Sequence, residues 1–183
     1  MTDQLSNGFF SQEFKLKIPD GDDRIRRVCS HCQFVDYINP RIIAAAVATK
    51  GPKVLLCKRA IAPRKGFWTL PAGFMEEGET VEEAAMREAR EEANADICID
   101  RMLAVYSVPR ISQVQIMFRA DLVSDISPGP ESLEVGLFEW KDIPWSNLAF
   151  PTVVWGLTHF AQTRELDAFA PFTNPPGTEA LTR

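Results

Sequence analysis

Glu88, Glu91 and Glu92 stand at i, i+3 and i+4 within Thr80–Ala93, a stretch free of proline and glycine and rich in alanine, glutamate, methionine and arginine. Such residues favour a helix, and helical spacing puts the three carboxylates on one face within a single turn. Like charges crowded in this way repel one another, and a cation among them relieves the repulsion. Oxygen ligands of this type suit hard ions such as Mg2+ or Mn2+. A solvated acidic face is the plainer account of the same residues, and Arg87 with Glu91 at i, i+4 also suits an ordinary helix ion pair.

The helix that must carry them is marked at both ends. Thr80 with Glu83 satisfies the capping-box pattern, and Asn94 is second only to glycine as the left-handed residue that ends a helix. Before it, Ile42–Ala48, Val54–Lys58 after the turn Lys50-Gly-Pro, and Trp68–Leu70 leading to Pro71-Ala-Gly73 predict a hairpin followed by a third strand. After it, Ile97–Val108, Val114–Val123 and Leu133–Trp140 read as strands separated by Pro109-Arg-Ile-Ser and Ser127-Pro-Gly-Pro. A second helix is expected from about Pro151 to Glu165, with the proline suiting its first turn. Residues 1–39 are polar and turn-rich, with a turn at Ile18-Pro-Asp-Gly-Asp-Asp. They form an N-terminal appendage to a main domain at 40–168, and an irregular tail at 169–183 follows.

The chain of 183 residues is 45% hydrophobic and 25% charged, which suits one globular core with a small added segment. Its net charge of −5 lacks the basic face that a nucleic-acid backbone requires, so no nucleic-acid partner is expected. A small anion neutralised by metal ions or a few local cations fits better. No apolar run approaches the roughly 20 residues that span a bilayer, and the start, MTDQLSNGFF, lacks a signal pattern. No membrane partner and a cytoplasmic location are therefore expected. Cys57 and Cys98 sit in strand-like runs, where buried free thiols are expected, while Cys29 and Cys32 make one Cys-x2-Cys pair around His31.

Gly73, Glu79, Arg87, Glu88, Glu91 and Glu92, at their spacings, resemble the Nudix box, Gly-x5-Glu-x7-Arg-Glu-U-x-Glu-Glu-x-Gly-U with U aliphatic. Asn94 stands where that motif has glycine, and alanines fill both U positions. Val54–Arg59, Trp68–Gly73 and Leu137–Pro144 are similar to the strands and closing segment of a Nudix domain. The resemblance implies an α/β fold, an α/β/α sandwich around a mixed sheet, that hydrolyses the pyrophosphate bond of a nucleoside diphosphate joined to a further group. It implies that Glu88, Glu91 and Glu92 ligate Mg2+ or Mn2+, with the Ala72 carbonyl as a backbone ligand. Glu88 or Glu92 would also orient water, Arg87 would fix the glutamates by salt bridges, and Glu79 would hold Arg87 or a metal-bound water. A further base is expected from a late loop, where Glu134 ranks a little above Glu131. Arg59, Arg64 and Lys65 precede Trp68 on the expected substrate side, Arg59 being the foremost phosphate contact. Phe67, Trp68 and Tyr106 are candidates to stack on a base, although Trp68 suits the core better.

Ile18-Pro-Asp-Gly-Asp leading to Arg27-Val-Cys-Ser-His-Cys32 and Tyr37-x-Asn-Pro40, together with Glu-Glu-Ala-Asn-Ala, resembles a Nudix subgroup that opens with a zinc ribbon and counts the plant FAD pyrophosphatases among its relatives. A ribbon needs four soft ligands, and Phe9-Phe-Ser-Gln-Glu-Phe14 stands where the first cysteine pair would be. No stable intrachain zinc is expected, with Cys29, Cys32 and His31 as the residual site. The same resemblance spans Ser107–Gln113 and Pro128–Ser132, which should line the substrate cleft. It implies a homodimer and a dinucleotide-type substrate, FAD, NADH and ADP-ribose in that order, giving products such as FMN plus AMP. The main rival is a Nudix-fold module that senses a nucleotide without cleaving it, which the intact Glu88, Glu91, Glu92 and Arg87 oppose. A metal- or nucleic-acid-binding ribbon protein is more remote, given the missing cysteine pair and the acidic charge.

Overall fold

The computed structural model describes residues 13–178 and divides into two compact units between Asn39 and Pro40. In the first unit, β1 (Phe14–Lys17), β2 (Arg26–Cys29) and β3 (Val35–Asp36) form an antiparallel sheet in that order. The segment expected to be turn-rich therefore carries a sheet of its own. Asp22 closes the β1–β2 turn by accepting from the N–H groups of Asp23 and Arg24 and from Arg26 Nε at 2.9 Å. The Arg26 bond holds the Asp22 carboxyl down to about 2. Phe9–Gln12, where a ribbon's first cysteine pair would begin, and the stretch MTDQLSNGFF lie outside the described residues.

The second unit is built on a mixed sheet. Its strands are β4 (Arg41–Lys50), β5 (Lys53–Arg59), β6 (Trp68–Thr69), β7 (Ala72–Phe74), β8 (Ile97–Val108), β9 (Gln113–Leu122) and β10 (Ser132–Glu139). The order is β10-β5-β4-β9-β8, with β6 on β5 and β7 on β4. β4 and β9 run parallel and the other pairs antiparallel. Successive β4 side chains point to opposite faces. Ala44, Ala46 and Ala48 pack with Phe118, Ala120 and the alanines of helix α1 (Val81–Ala93), while Ala45 and Val47 pack with Met117 and with Val153, Leu157 and Phe160 of helix α2 (Pro151–Thr163). A helix therefore covers each face, and the small alanine side chains let α1 lie close to the sheet.

The hairpin β4–β5 pairs only beside its turn, Thr49 with Val54 and Lys50 with Lys53. Beyond that the strands part: β7 takes the edge of β4 at Ile43–Ala45, and β6 takes Cys57 and Lys58 of β5. The chain between β6 and β7 thus bridges a split in the sheet directly ahead of α1. Cys57 is buried as expected, but Cys98 is exposed. It lies on the edge strand β8, where Ile97 takes the inward place and the alternation turns Cys98 outward. The tail is irregular yet anchored. Phe172 exchanges backbone hydrogen bonds with Leu103 and Val105, and Asn174 pairs with the backbone of Ser107 through both side-chain atoms. Residues 179–183 lie outside the described residues. Among the described residues no helix is long and apolar enough to cross a membrane.

Candidate active site

Local sequence sets helix α1, which carries the three glutamates. The Thr80 hydroxyl accepts from the Glu83 N–H and the Glu83 carboxylate accepts from the Thr80 N–H, so the capping box forms at both ends. Asn94 ends the helix at φ 46° and ψ 36°, the left-handed conformation expected of it. Between these caps Glu88 and Glu92 turn inward and are buried, while Glu91 is exposed.

Arg87 organises the acidic cluster. Its guanidinium donates to both carboxylate oxygens of Glu79 (2.8 and 3.1 Å), to Glu88 Oε1 (2.7 Å), to Glu91 Oε2 (3.0 Å) and to the Phe74 carbonyl (2.9 Å). The Arg87 bond and the Glu76 N–H hold Glu79 down to about 2, so Glu79 stays a carboxylate throughout the neutral range. Glu88 is raised, by burial first and by the charges of Glu91 and Glu131 beyond that, with Arg87 acting against them. Glu92 is pushed up to about 8 by burial and by the Glu88 charge, opposed by the Ala72 N–H, which donates to it at 3.3 Å, and by Arg59. Gly73 makes this closeness possible, because a Cβ there would lie 2.1 Å from Glu88 Oε1.

A cleft of about 530 Å3 opens over this cluster. Of the residues predicted for the site, Arg59, Ala72, Arg87, Glu88, Glu91 and Glu92 line it, and Glu79 stands behind Arg87. Glu131 lines it too, whereas Glu134 does not: it pairs with Lys58 at 3.2 Å on the outside of β10. The expected ranking of the two is therefore reversed. An irregularity in the β10–β5 register between Ser132 and Glu134 sets Glu134 opposite Lys58. Arg64 is also displaced from its expected role, since its guanidinium donates to the Ala149 carbonyl at 3.0 Å and lies over the Phe67 ring. Trp68 belongs to the core, 7% exposed and edge-on to Phe138, and Tyr106 is fully buried with its hydroxyl bonded to His159 Nδ1 at 2.7 Å. Neither ring is available to a base, and Lys65 does not line the cleft.

Much of the remaining lining is apolar and was largely missed from the sequence. Ile61, Phe74, Ile111 and Phe150 form it, with the amides of Gln113 and Gln115 between them. Sheet register gathers part of this wall: Ile43 is the partner of both Phe74 and Gln115, and Arg41 of Gln113, so these side chains share one face. The Arg41 guanidinium stands 4.5 Å from the centre of the Phe74 ring. The available signal was large apolar residues in turn stretches, Ile61 and Ile111, where a surface loop has no packing reason for them. Of the stretch Ser107–Gln113, Ile111 and Gln113 reach the cleft, while the Ser107 backbone is taken by Asn174.

The donors fit a hard divalent cation. They are all oxygens, and Arg87 divides its charge among Glu79, Glu88 and Glu91, leaving buried Glu92 and nearby Glu131 with Arg59 as the remaining cation of the cleft. Among the described residues no group of three His, Cys, Asp or Glu side chains is already gathered into a cage. Glu88 and Glu91 are turned toward Arg87, and both line the cleft. In the first unit, the N–H groups of Cys32 and His31 bond the Cys29 sulfur and lower its thiol pKa, so one knuckle of a ribbon is shaped. A second cleft, of about 540 Å3 beside the β4–β5 turn, has most of its charges engaged: Asp100 and the carbonyls of Thr163 and Leu166 engage Arg119, and Glu165 engages Arg164, while Asp121 also lines it.

Comparison with known proteins agrees with this geometry. The NUDIX domain model matches residues 39–155, and the Nudix N-terminal zinc-ribbon model matches residues 11–38. A Nudix hydrolase structure from Nitrosomonas europaea is 45% identical, with a TM-score of 0.84 over 91% of this chain and 97% of that one. An ADP-ribose pyrophosphatase of Methanocaldococcus jannaschii is 36% identical over 119 residues, 62% of this chain and 69% of the relative. The NAD-capped RNA hydrolase NudC of Edwardsiella ictaluri is 34% identical over 111 residues, and the match spans only 42% of that longer protein.

Proposed function

The chain belongs to the Nudix hydrolase family and is a pyrophosphohydrolase of the kind that carries an N-terminal ribbon segment, and on that premise we propose that it cleaves dinucleotide-type diphosphates, with ADP-ribose, NADH and FAD as the compounds to test. The observation that carries this reading is the mixed lining of one cleft: buried Glu88 and Glu92 beside Gly73, together with an apolar wall and two amides. A diphosphate needs the first, and a nucleoside needs the second. The sequence resemblance puts FAD first. The likeness to an ADP-ribose pyrophosphatase supports moving ADP-ribose to the head of the panel.

Divalent Mg2+ or Mn2+, held by Glu88, Glu91, Glu92 and the Ala72 carbonyl, would supply positive charge to the diphosphate and acidify the attacking water. The chain's own residues do the rest. Arg87, fixed by Glu79 and the Phe74 carbonyl, restrains Glu88 and Glu91, which is the outer support that a precise ligand geometry requires. Arg59 contacts a phosphate oxygen from the cleft wall. Water attacks one phosphorus, the P–O bond of the anhydride breaks, and Glu131 takes the proton of the water while the second phosphate leaves. The products are two monophosphates, one of them a nucleoside monophosphate.

The test is release of AMP from ADP-ribose, NADH, FAD, diadenosine polyphosphates and nucleoside triphosphates with Mg2+ or Mn2+. Turnover is expected on the dinucleotide-type members ahead of the triphosphates. No turnover on any member, with binding intact, would establish the nucleotide sensor instead. An NAD-capped RNA added to the panel should be no better than free NADH, because the chain carries a net charge of −5. A homodimer in solution and less than one zinc per chain complete the proposal. Sedimentation and metal analysis of the purified protein read both directly.

A further inference from the structure

Asn94 occupies the position that is glycine in the family motif, and its side chain does what no glycine can. Its Nδ2 lies 3.2 Å from the Ser127 carbonyl, 3.1 Å from the Ser127 hydroxyl oxygen and 3.2 Å from the Pro128 carbonyl, and so donates into a loop more than thirty residues away. The same loop is fastened to the end of α1 by its backbone. The Ser127 N–H donates to the Ala93 carbonyl at 2.9 Å and the Gly129 N–H to the Glu92 carbonyl at 3.0 Å. Gly129 sits so tightly that a Cβ on it would lie 1.7 Å from the Glu91 carbonyl oxygen. Two residues further on, Glu131 lines the cleft with Glu88 and Glu92, and its carbonyl accepts from the Ala60 N–H at 2.7 Å. The loop is therefore held at one end by the C-terminus of the catalytic helix and at the other by the end of β5, with Glu131 beside the second anchor.

We propose that Asn94 is a positioning residue for the hydrolytic step: by clasping Ser127 and Pro128 it fixes the loop that sets Glu131 against Glu88 and Glu92. A glycine keeps the left-handed helix end, since it adopts that conformation without a steric penalty. What it removes is the side-chain clasp. Restoring the family's own glycine should thus leave the helix folded and make the enzyme worse. The inference rests on the hydrolase reading with Glu131 as the base, and the experiment separates the two.

In Asn94→Gly, amide hydrogen exchange at Ser127, Gly129 and Glu131 should speed at least tenfold while exchange along 84–92 is unchanged. This readout needs no turnover, so it tests the clasp even if every substrate in the panel fails. Unchanged exchange in the loop overturns the proposal. On the best substrate, kcat should fall roughly tenfold with KM within about twofold, as expected when a reacting group is misplaced and ground-state binding is retained. In a Glu131→Gln background the same Asn94→Gly change should cost less than twofold, because the group it positions is gone. A wild-type kcat in Asn94→Gly, or an equal tenfold loss in both backgrounds, would show that Asn94 does not act through Glu131 and overturns the assignment.

Discussion

At the acidic end of the cleft, every group except Arg59 and Glu131 comes from the continuous stretch between Ala72 and Glu92, one strand and the helix after it. The apolar end draws Ile61 from a loop, Phe74 from β7, Ile111 from the β8–β9 turn, Gln113 and Gln115 from β9, and Phe150 from the residue before α2. In the proposed reaction, the groups that would hold ions and water sit on one rigid helix whose spacing fixes them. The groups proposed to select the rest of the substrate come from separate elements, where a substitution leaves the helix undisturbed. Changes at the first end should therefore appear in kcat, and changes at the second in KM.

The largest effect is expected from Glu91→Gln. Glu91 is exposed, so the variant should fold, yet it loses a charge proposed to bind a cation and one of the ion pairs that orient Arg87. Turnover should fall by roughly a thousandfold with little change in Tm. A kcat within tenfold of wild type would remove Glu91 from the site. Phe74→Ala probes the other end. The ring is 44% exposed and lines the cleft, so its loss should raise KM roughly tenfold and leave kcat within about twofold. If the loss falls on kcat instead, the division between the two ends fails.

Glu92→Gln sharpens the comparison through stability. A carboxyl whose folded pKa is raised, here from 4.5 to about 8, contributes stability that is present below its unfolded pKa and lost as pH rises through the folded value. Metal-free wild-type protein should thus lose stability, on the order of a few kcal/mol, between those two pH values. The glutamine variant should not follow it, and near pH 8 in a chelator it should melt several degrees higher than wild type. Added Mg2+ or Mn2+ should recover the loss in wild type alone. Parallel melting curves for the two proteins across this range would show that the buried charge is already compensated without metal.

The acidic end was legible because it is local. Capping at Thr80, the left-handed Asn94 and the spacing of Glu88, Glu91 and Glu92 are all set within one helix, and the structure keeps them as expected. The long strands of the second unit were legible from their apolar runs. What escaped was set by pairing between distant segments: the register that aligns Phe74, Ile43 and Gln115, the outward turn of Cys98 on an edge strand, and the burial of Tyr106. Asn94 shows the boundary most clearly. Its backbone conformation followed from its residue type, while its bonds to Ser127 and Pro128 depend on where a loop far along the chain comes to rest.

The smallest expected effect belongs to Glu134→Gln. Spacing in Pro130-Glu-Ser-Leu-Glu-Val cannot rank the two glutamates, because a strand irregularity between Ser132 and Glu134 decides which one meets the cleft. Glu131 does, and Glu134 meets Lys58 with more than half of its own side chain exposed, at 58%. An exposed pair of this kind contributes about 0–1 kcal/mol and is screened by salt. Glu134→Gln should therefore keep kcat and KM within about twofold and shift Tm by no more than a degree or two. Glu131→Gln, at a residue that also has no ion-pair partner among the described residues, should lower kcat roughly 10- to 100-fold with Tm unmoved. Equal losses in the two variants would mean that the loop reaches the cleft in another arrangement, and the acidic end would then depend on long-range placement as much as the apolar end does.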